Sequence, residues 1–241
     1  MIWELTYRIF VDKLGYWKKN IFTSPLEVIE TFKKLNSNNF VLENIIFSLQ
    51  RLILGFVIAL VIGILLGIFI SKYEFLKTNV RSLVLALQTL PNVAWVPISV
   101  LWFGLSDASI LFTIIIGSIF AMILATEGGI SSINPVYLKA AQTMGAEGKN
   151  LYLKVIFPGA LPMIVGGMKQ AWSFAWRALM AGEMLAGKNG LGYILMNGRK
   201  DEDLTQIVMV LLIIIILGVI FENLIFGKLE QSLREKWGLN K

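Results

Sequence analysis

Charge is absent from residues 52–70, 82–106, 108–126 and 204–221, and residues 155–182 are interrupted only by Lys169 and Arg177. Each stretch approaches or exceeds the roughly 20 apolar residues of helix that cross a bilayer core. The pattern predicts an all-α membrane bundle of about five spans. The connecting segments carry the sidedness, because Lys and Arg accumulate in cytoplasmic loops. Lys72, Lys77 and Arg81 follow the first stretch, Lys139, Lys149 and Lys154 follow the third, and Lys228, Arg234, Lys236 and Lys241 follow the last. The link at Ser106–Asp107 has no basic residue. These basic segments, including the C-terminus, are therefore placed in the cytoplasm. The segment 183–203 falls outside, its Lys188, Arg199 and Lys200 set among Glu183, Asp201, Glu202 and Asp203. Five spans leave the N-terminus outside as well.

The opening stretch, MIWELTYRIFVDKLGYWKKN, is broken by Glu4, Arg8, Asp12 and Lys13. It suits neither a spanning helix nor the apolar core of a signal peptide. It reads as an interfacial amphipathic helix with Trp3 and Trp17 near the headgroups. Ser24-Pro25-Leu26-Glu27 has the form of a capping box with proline at the first helical position, which predicts a surface helix to about Leu35. The chain divides into an amphipathic N-terminal segment (1–46), a transmembrane domain (47–227) with a cytoplasmic loop at 128–158, and a cytoplasmic tail (228–241).

Within the spans, Gly55, Ala59, Gly63 and Gly67 form a small-residue stripe on one helix face, as ordinary close packing in a bundle requires. Pro91 and Pro97 interrupt the second span beside Gln88, Asn92 and Trp95. Proline removes a backbone hydrogen bond and kinks a helix. In lipid the freed carbonyls need protein or water partners, so this stretch is expected to face the bundle interior or a cavity.

Composition narrows the chemistry. The chain is 56% hydrophobic and 16% charged, with a mean hydropathy of +0.70, where a soluble chain carries about a quarter of its residues charged. It has no cysteine and no histidine, which removes disulfides, thiolate nucleophiles, imidazole relays and His/Cys metal sites. The formal charge of +6 fits basic cytoplasmic loops, and no basic run with interleaved aromatics points to nucleic acid.

The cytoplasmic loop is the most informative segment. Asn134-Pro135 reads as an N-cap with proline at the first helical position, and Gly145 as the C-terminal stop. Between them Tyr137, Ala140, Ala141 and Met144 recur at i, i+3, i+4 and i+7, making one apolar face. A short helix of that shape suits docking into another protein's groove.

Here the sequence resembles the permease subunits of ATP-binding-cassette importers, whose cytoplasmic loop carries E-A-A-x3-G-x9-I-x-L-P. This chain has Lys139-Ala140-Ala141, then Gly145, then Val155-Ile156-Phe157-Pro158 at the same spacing. Lys139 replaces the family's Glu and reverses its charge, while Val155 and Phe157 are conservative changes. Thr23–Pro25, TLPNVAWVPISVLWFGL at 89–105, FAWRALMAGEM at 174–184 and GLGY at 190–193 resemble the sulfonate, taurine and nitrate subfamily, whose relatives also carry vitamin precursors. The resemblance runs from about Thr23 to the C-terminus. These permeases usually have six spans, and the one that precedes a segment like IWEL is expected to be missing here, which leaves two readings: a five-span protein, or a trimmed or misplaced start.

The resemblance implies a type I importer permease in the cell membrane of a prokaryote. It implies that Tyr137, Lys139, Ala140, Ala141, Met144 and Gly145 belong to a coupling helix seated in a separate ATPase subunit, which holds the MgATP. It also implies a second permease chain, most simply an identical one, and an extracytoplasmic binding protein. No cofactor is expected on this chain. The phosphate-loop pattern G-x-x-x-x-G-K-[ST] is not met at Gly148-Lys149-Asn150, where Thr143 stands at the first glycine position.

For the substrate path, Lys169, Ser173, Trp176 and Arg177 share a helical face, and Arg177 would suit an organic anion. The structural alternative is that Lys169 snorkels while Arg177 pairs with Glu183 or backbone carbonyls. Gln88, Asn92, Trp95 and Trp102 are the next candidates; their alternative is to satisfy broken backbone and fill a dimer interface, and Glu183 is read as holding the outer end of the bundle. A stand-alone carrier would often bury Asp or Glu within its spans, and the uncharged stretches have none, with Asp107, Glu127 and Glu222 only flanking them. An intramembrane enzyme would need a nucleophile, acid–base pair or metal site that these spans lack.

Overall fold

The structure, a computed structural model, describes residues 2–16, 22–229, 231 and 235. Among them every regular element is helical. Trp17 and the tail residues Arg234, Lys236 and Lys241 lie outside the described residues.

The N-terminal helix α1 (Ile2–Tyr7) continues as a wider π-type turn through Lys13. It is tied to α2 (Pro25–Leu35): the Trp3 indole donates to the Thr23 carbonyl at 2.9 Å and the Tyr7 hydroxyl to Glu27 at 3.0 Å. The capping box is present, with the Glu27 amide donating to Ser24 Oγ (3.1 Å) and the Ser24 amide to Glu27 Oε2 (3.0 Å). The helix rests against the bundle through Val28 and through a 3.0 Å contact between the hydroxyls of Thr23 and Thr205.

Asn39, at φ +60°, turns the chain into α3 (Phe40–Lys72). At 33 residues and about 1.5 Å per residue the helix is long enough to project beyond the bilayer core. It begins well before the uncharged stretch, and its early turns bury Asn44, Ser48 and Arg51. The small-residue stripe packs against α6 (Asp107–Ser131). A Cβ added at Gly63 would lie 2.5 Å from Met122 Cβ, and one at Gly67 2.6 Å from Thr126 Cβ. Lipid tails provide no hydrophobic drive between helices, so this backbone approach supplies van der Waals contact instead.

The second span departs from a single kinked helix. The chain runs through α4 (Glu74–Gln88), breaks at 89–91, makes a 3-10 turn (Asn92–Trp95) and resumes as α5 (Val96–Phe103), with the axes bent by 96°. Proline disfavours the helical conformation of the residue before it, and Pro91 itself has ψ 137°, so the helix stops rather than bends.

After α6 come α7 (Pro135–Thr143), the short α8 (Gly148–Leu151) and a π-type turn leading into α9 (Phe157–Ala186). The chain closes with α10 (Leu191–Lys200) and α11 (Leu204–Phe221), the latter extended by a π-type turn to Gly227. Among the described residues four helices are long and apolar enough to cross a membrane, or five if the bent pair counts as one span. Helix α6 is central, with α3 on one side and α9 on the other. Gly167 of α9 lies so close that an added Cβ would stand 2.0 Å from Ala125 Cβ.

Candidate functional site

The break between α4 and α5 opens a cavity of about 380 Å³ against α6 and α9. Its lining includes Gln88, Pro91, Asn92, Gly117, Phe174 and Arg177. Asn92 holds the broken segment in place by donating through Nδ2 to the Phe174 carbonyl at 3.0 Å. Gly117 makes room for it, since a Cβ there would sit 3.1 Å from Asn92 Oδ1. Arg177 lies over the Phe174 ring, 5.0 Å from its centroid, and donates to Ser173 Oγ at 3.0 Å. Cation–π contact and a hydroxyl partner orient the guanidinium without neutralising it.

Arg177 therefore does not pair with Glu183. Among the described residues it forms no ion pair, because Glu183 is engaged elsewhere. It stands about 14 Å along the helix from Ala186, the last residue of α9. A guanidinium that lines a cavity without an ion-pair partner among the described residues can bind an anion. Gln88, Asn92 and Arg177 are thus brought together, with Ser173 supporting Arg177 from outside the lining. The tryptophans are not. Trp95 packs against Phe120, Trp102 against Phe103 and Phe112, and Trp176 against Trp172. Lys169 does not merely snorkel; its ammonium is 2.8 Å from Glu222 Oε1.

Glu183 holds the end of the bundle opposite α7, in a group whose other members the spacing of residues did not reveal. Glu183, 1% exposed, accepts from Ser48 Oγ (2.8 Å), Arg51 Nη1 (2.9 Å) and the Gly192 amide (2.9 Å). Arg51 also reaches Asp107 at 2.6 Å and the Asn189 side chain. The amides that open α10 are satisfied by other helices, Gly190 by Asn44 Oδ1 and Leu191 by Ser48 Oγ. A Cβ at Gly190 would lie 2.3 Å from Glu183 Oε1, which gives the GLGY segment a physical reason. The available signal was the pairing of Glu183 with that glycine pair. Arg51 escaped because it borders the uncharged stretch.

At the other end, Asn134 Oδ1 caps α7 by accepting from the Val136 amide at 2.9 Å, and Gly145 stops it at φ +81°. Tyr137 is 67% and Met144 88% exposed, while Lys139 and Ala140 are exposed and Ala141 half-buried. The loop thus presents an apolar helix face beyond the bundle. Just before it, the buried Glu127 accepts from Ser131 (2.8 Å) and meets Arg81 of α4 at 3.3 Å. Among the described residues no group of acidic side chains could hold a metal ion.

Known proteins similar to this chain identify its family and fold. The family described as binding-protein-dependent transport system inner membrane component matches residues 59–235. A putative ABC transporter permease of Methanocaldococcus jannaschii is 32% identical over 81% of this chain and 74% of its own length. The putative aliphatic sulfonates transport permease of Bacillus subtilis is 25% identical, covering 98% of this chain and 83% of its own. The nitrate import permease of Synechococcus elongatus is 30% identical, covering 75% and 66% respectively. In fold, a chain of the inward-facing MetNI methionine ABC transporter superposes with a TM-score of 0.69 at 18% identity, covering 80% of this chain and 96% of that one.

Proposed function

Because this chain belongs to the family of binding-protein-dependent transport system inner membrane components, it is the non-catalytic permease subunit of an ABC importer, and we propose that it carries a small organic or inorganic anion through the cavity at the α4–α5 break. The observation that carries this reading is the Arg177 guanidinium, which faces that cavity without a carboxylate partner among the described residues. Relatives named for aliphatic sulfonates and for nitrate support an anionic cargo, with taurine in the same class.

In this reading α7 seats Tyr137, Ala140, Ala141 and Met144 in a cleft of a separate ATPase. Lys139 offers that partner a positive charge. Two permease chains, most simply identical, form the pore, and a binding protein delivers cargo at the Glu183 end. The α7 end and the C-terminus face the cytoplasm. Closure of two ATPases around ATP moves both coupling helices and rocks the bundles between inward and outward access.

The test is ATP hydrolysis by this chain co-purified with its ATPase and reconstituted in lipid, with and without binding protein loaded with a sulfonate or nitrate. Stimulation by the loaded protein is expected, together with uptake of that anion. A chain that forms no complex but exchanges anions alone would instead be a stand-alone carrier.

A further inference from the structure

A second cavity of about 440 Å³ lies beside the first, nearer the α7 end. Its lining includes Gln88, Ala121, Ala125, Gly166, Gly167 and Gln170. The order of residues places the two chambers one above the other. Along α6 the lining passes from Gly117 to Ala121 and Ala125, and along α9 from Arg177 to Gln170 and Gly166. Gly166 and Arg177 are separated by about 16 Å of helix rise. Gln88 borders both chambers, and no other residue of either lining does.

We infer that Gln88 is the gate between two chambers of one path, and that the lower chamber is where an anion leaves the grip of Arg177. The inference rests on the proposed reading of the upper cavity as the substrate path. The polar side chains of the lower lining are the amides of Gln88 and Gln170, and the rest of it is apolar. An anion that moves from the guanidinium to these neutral dipoles gives up a full charge interaction, which favours release; conduction requires binding weak enough to leave. An amide at the gate can donate to a passing oxyanion without trapping it, as a second cation would, or repelling it, as a carboxylate would.

The gate also sits on a lever. Gln88 is in the last turn of α4, next to the 96° break. Arg81 lies seven residues earlier, two turns along the same face. It holds α4 to α6 through Glu127, and the buried Val84 clusters with Ile119, Phe120 and Ile123 of α6. A shift of α4 against α6 therefore carries Gln88 with it.

The chain has no cysteine, so single introduced thiols report access directly. In the nucleotide-free complex with its ATPase, 2-sulfonatoethyl methanethiosulfonate is applied from the cytoplasmic side. Gly166→Cys, where an added Cβ meets nothing within 4 Å, is expected to react readily. Phe174→Cys in the upper chamber is expected to react about tenfold more slowly, a difference of about 1.4 kcal/mol in barrier. Gln88→Ala should bring the Phe174→Cys rate up to that of Gly166→Cys, and Gln88→Trp should suppress it further, with Gly166→Cys unchanged in both. Equal rates with Gln88 in place, no response of Phe174→Cys to either substitution, or no reaction at Gly166→Cys would each overturn the gate. The readout needs no cargo. The expected labelling without anion uptake would retain the gate and remove the anion reading, and uptake with the wrong labelling would do the reverse.

Discussion

At the scale of single residues, two arginines in the membrane domain have opposite environments. Arg51 is buried and spends its donors on Glu183, Asp107 and Asn189. Removing one partner of such a buried pair leaves the other uncompensated, typically at a cost of about 3–5 kcal/mol. Arg51→Ala is accordingly expected to lower the thermal stability of the detergent-solubilised chain severely. Glu183→Gln should be milder than Glu183→Leu, because a glutamine carbonyl still accepts from Gly192 and Arg51. Equal melting temperatures for the two Glu183 variants would count against that account. Arg177, in contrast, holds only a hydroxyl and a ring face. Arg177→Gln is expected to leave folding and ATPase stimulation intact while lowering anion uptake about tenfold, the loss of about 1.4 kcal/mol. Unchanged uptake in proteoliposomes would remove Arg177 from the path.

At the scale of elements, local sequence rules governed the helix starts and stops, and tertiary packing governed their lengths. The capping box at Ser24 and the cap at Asn134 are where side-chain chemistry places them. The α4–α5 element was legible as a kink but not as a 96° break. How far a proline-interrupted helix turns depends on what holds the chain beyond the break. Here Asn92 on the Phe174 carbonyl and the open face of Gly117 make that choice. The small-residue stripe has a testable consequence: Gly63→Leu would drive a side chain into Met122 and separate α3 from α6, so loss of the folded chain in a detergent thermal-shift assay is expected. On α7, Ala141→Arg places a long charged chain on the face proposed to enter the ATPase. The helix is exposed enough to keep its fold, while co-purification of the ATPase should be lost. Normal ATP-driven uptake by that variant would sink the coupling assignment.

At the scale of the whole molecule, charged groups tie helices together near both ends of the bundle. The Arg51–Glu183 cluster ties α3, α6, α9 and α10 together at one end. Arg81 and Glu127 tie α4 to α6 near the other. Between them the cavity lies against the central helix, and the expected motion is a rocking of α4 and α5 about α6. Mg-ATP added to the complex is therefore expected to change thiol access at Phe174→Cys and leave the Glu183 cluster undisturbed, read by the same labelling and by retained thermal stability.

What the sequence by itself determined is what depends on local composition and spacing: the apolar spans, the caps, the basic loops, and the docking-shaped helix with its family resemblance. The candidates Gln88, Asn92 and Arg177 were legible because polar groups in apolar stretches must face protein or water. The fate of each depended on distance in space. Only the tertiary structure decided that Glu183 belongs to Arg51 rather than to Arg177, that Lys169 belongs to Glu222, and that the candidate tryptophans pack away from the cavity. Pairing of charges across helices is set by the register of whole helices against one another, and no window along the chain contains that information.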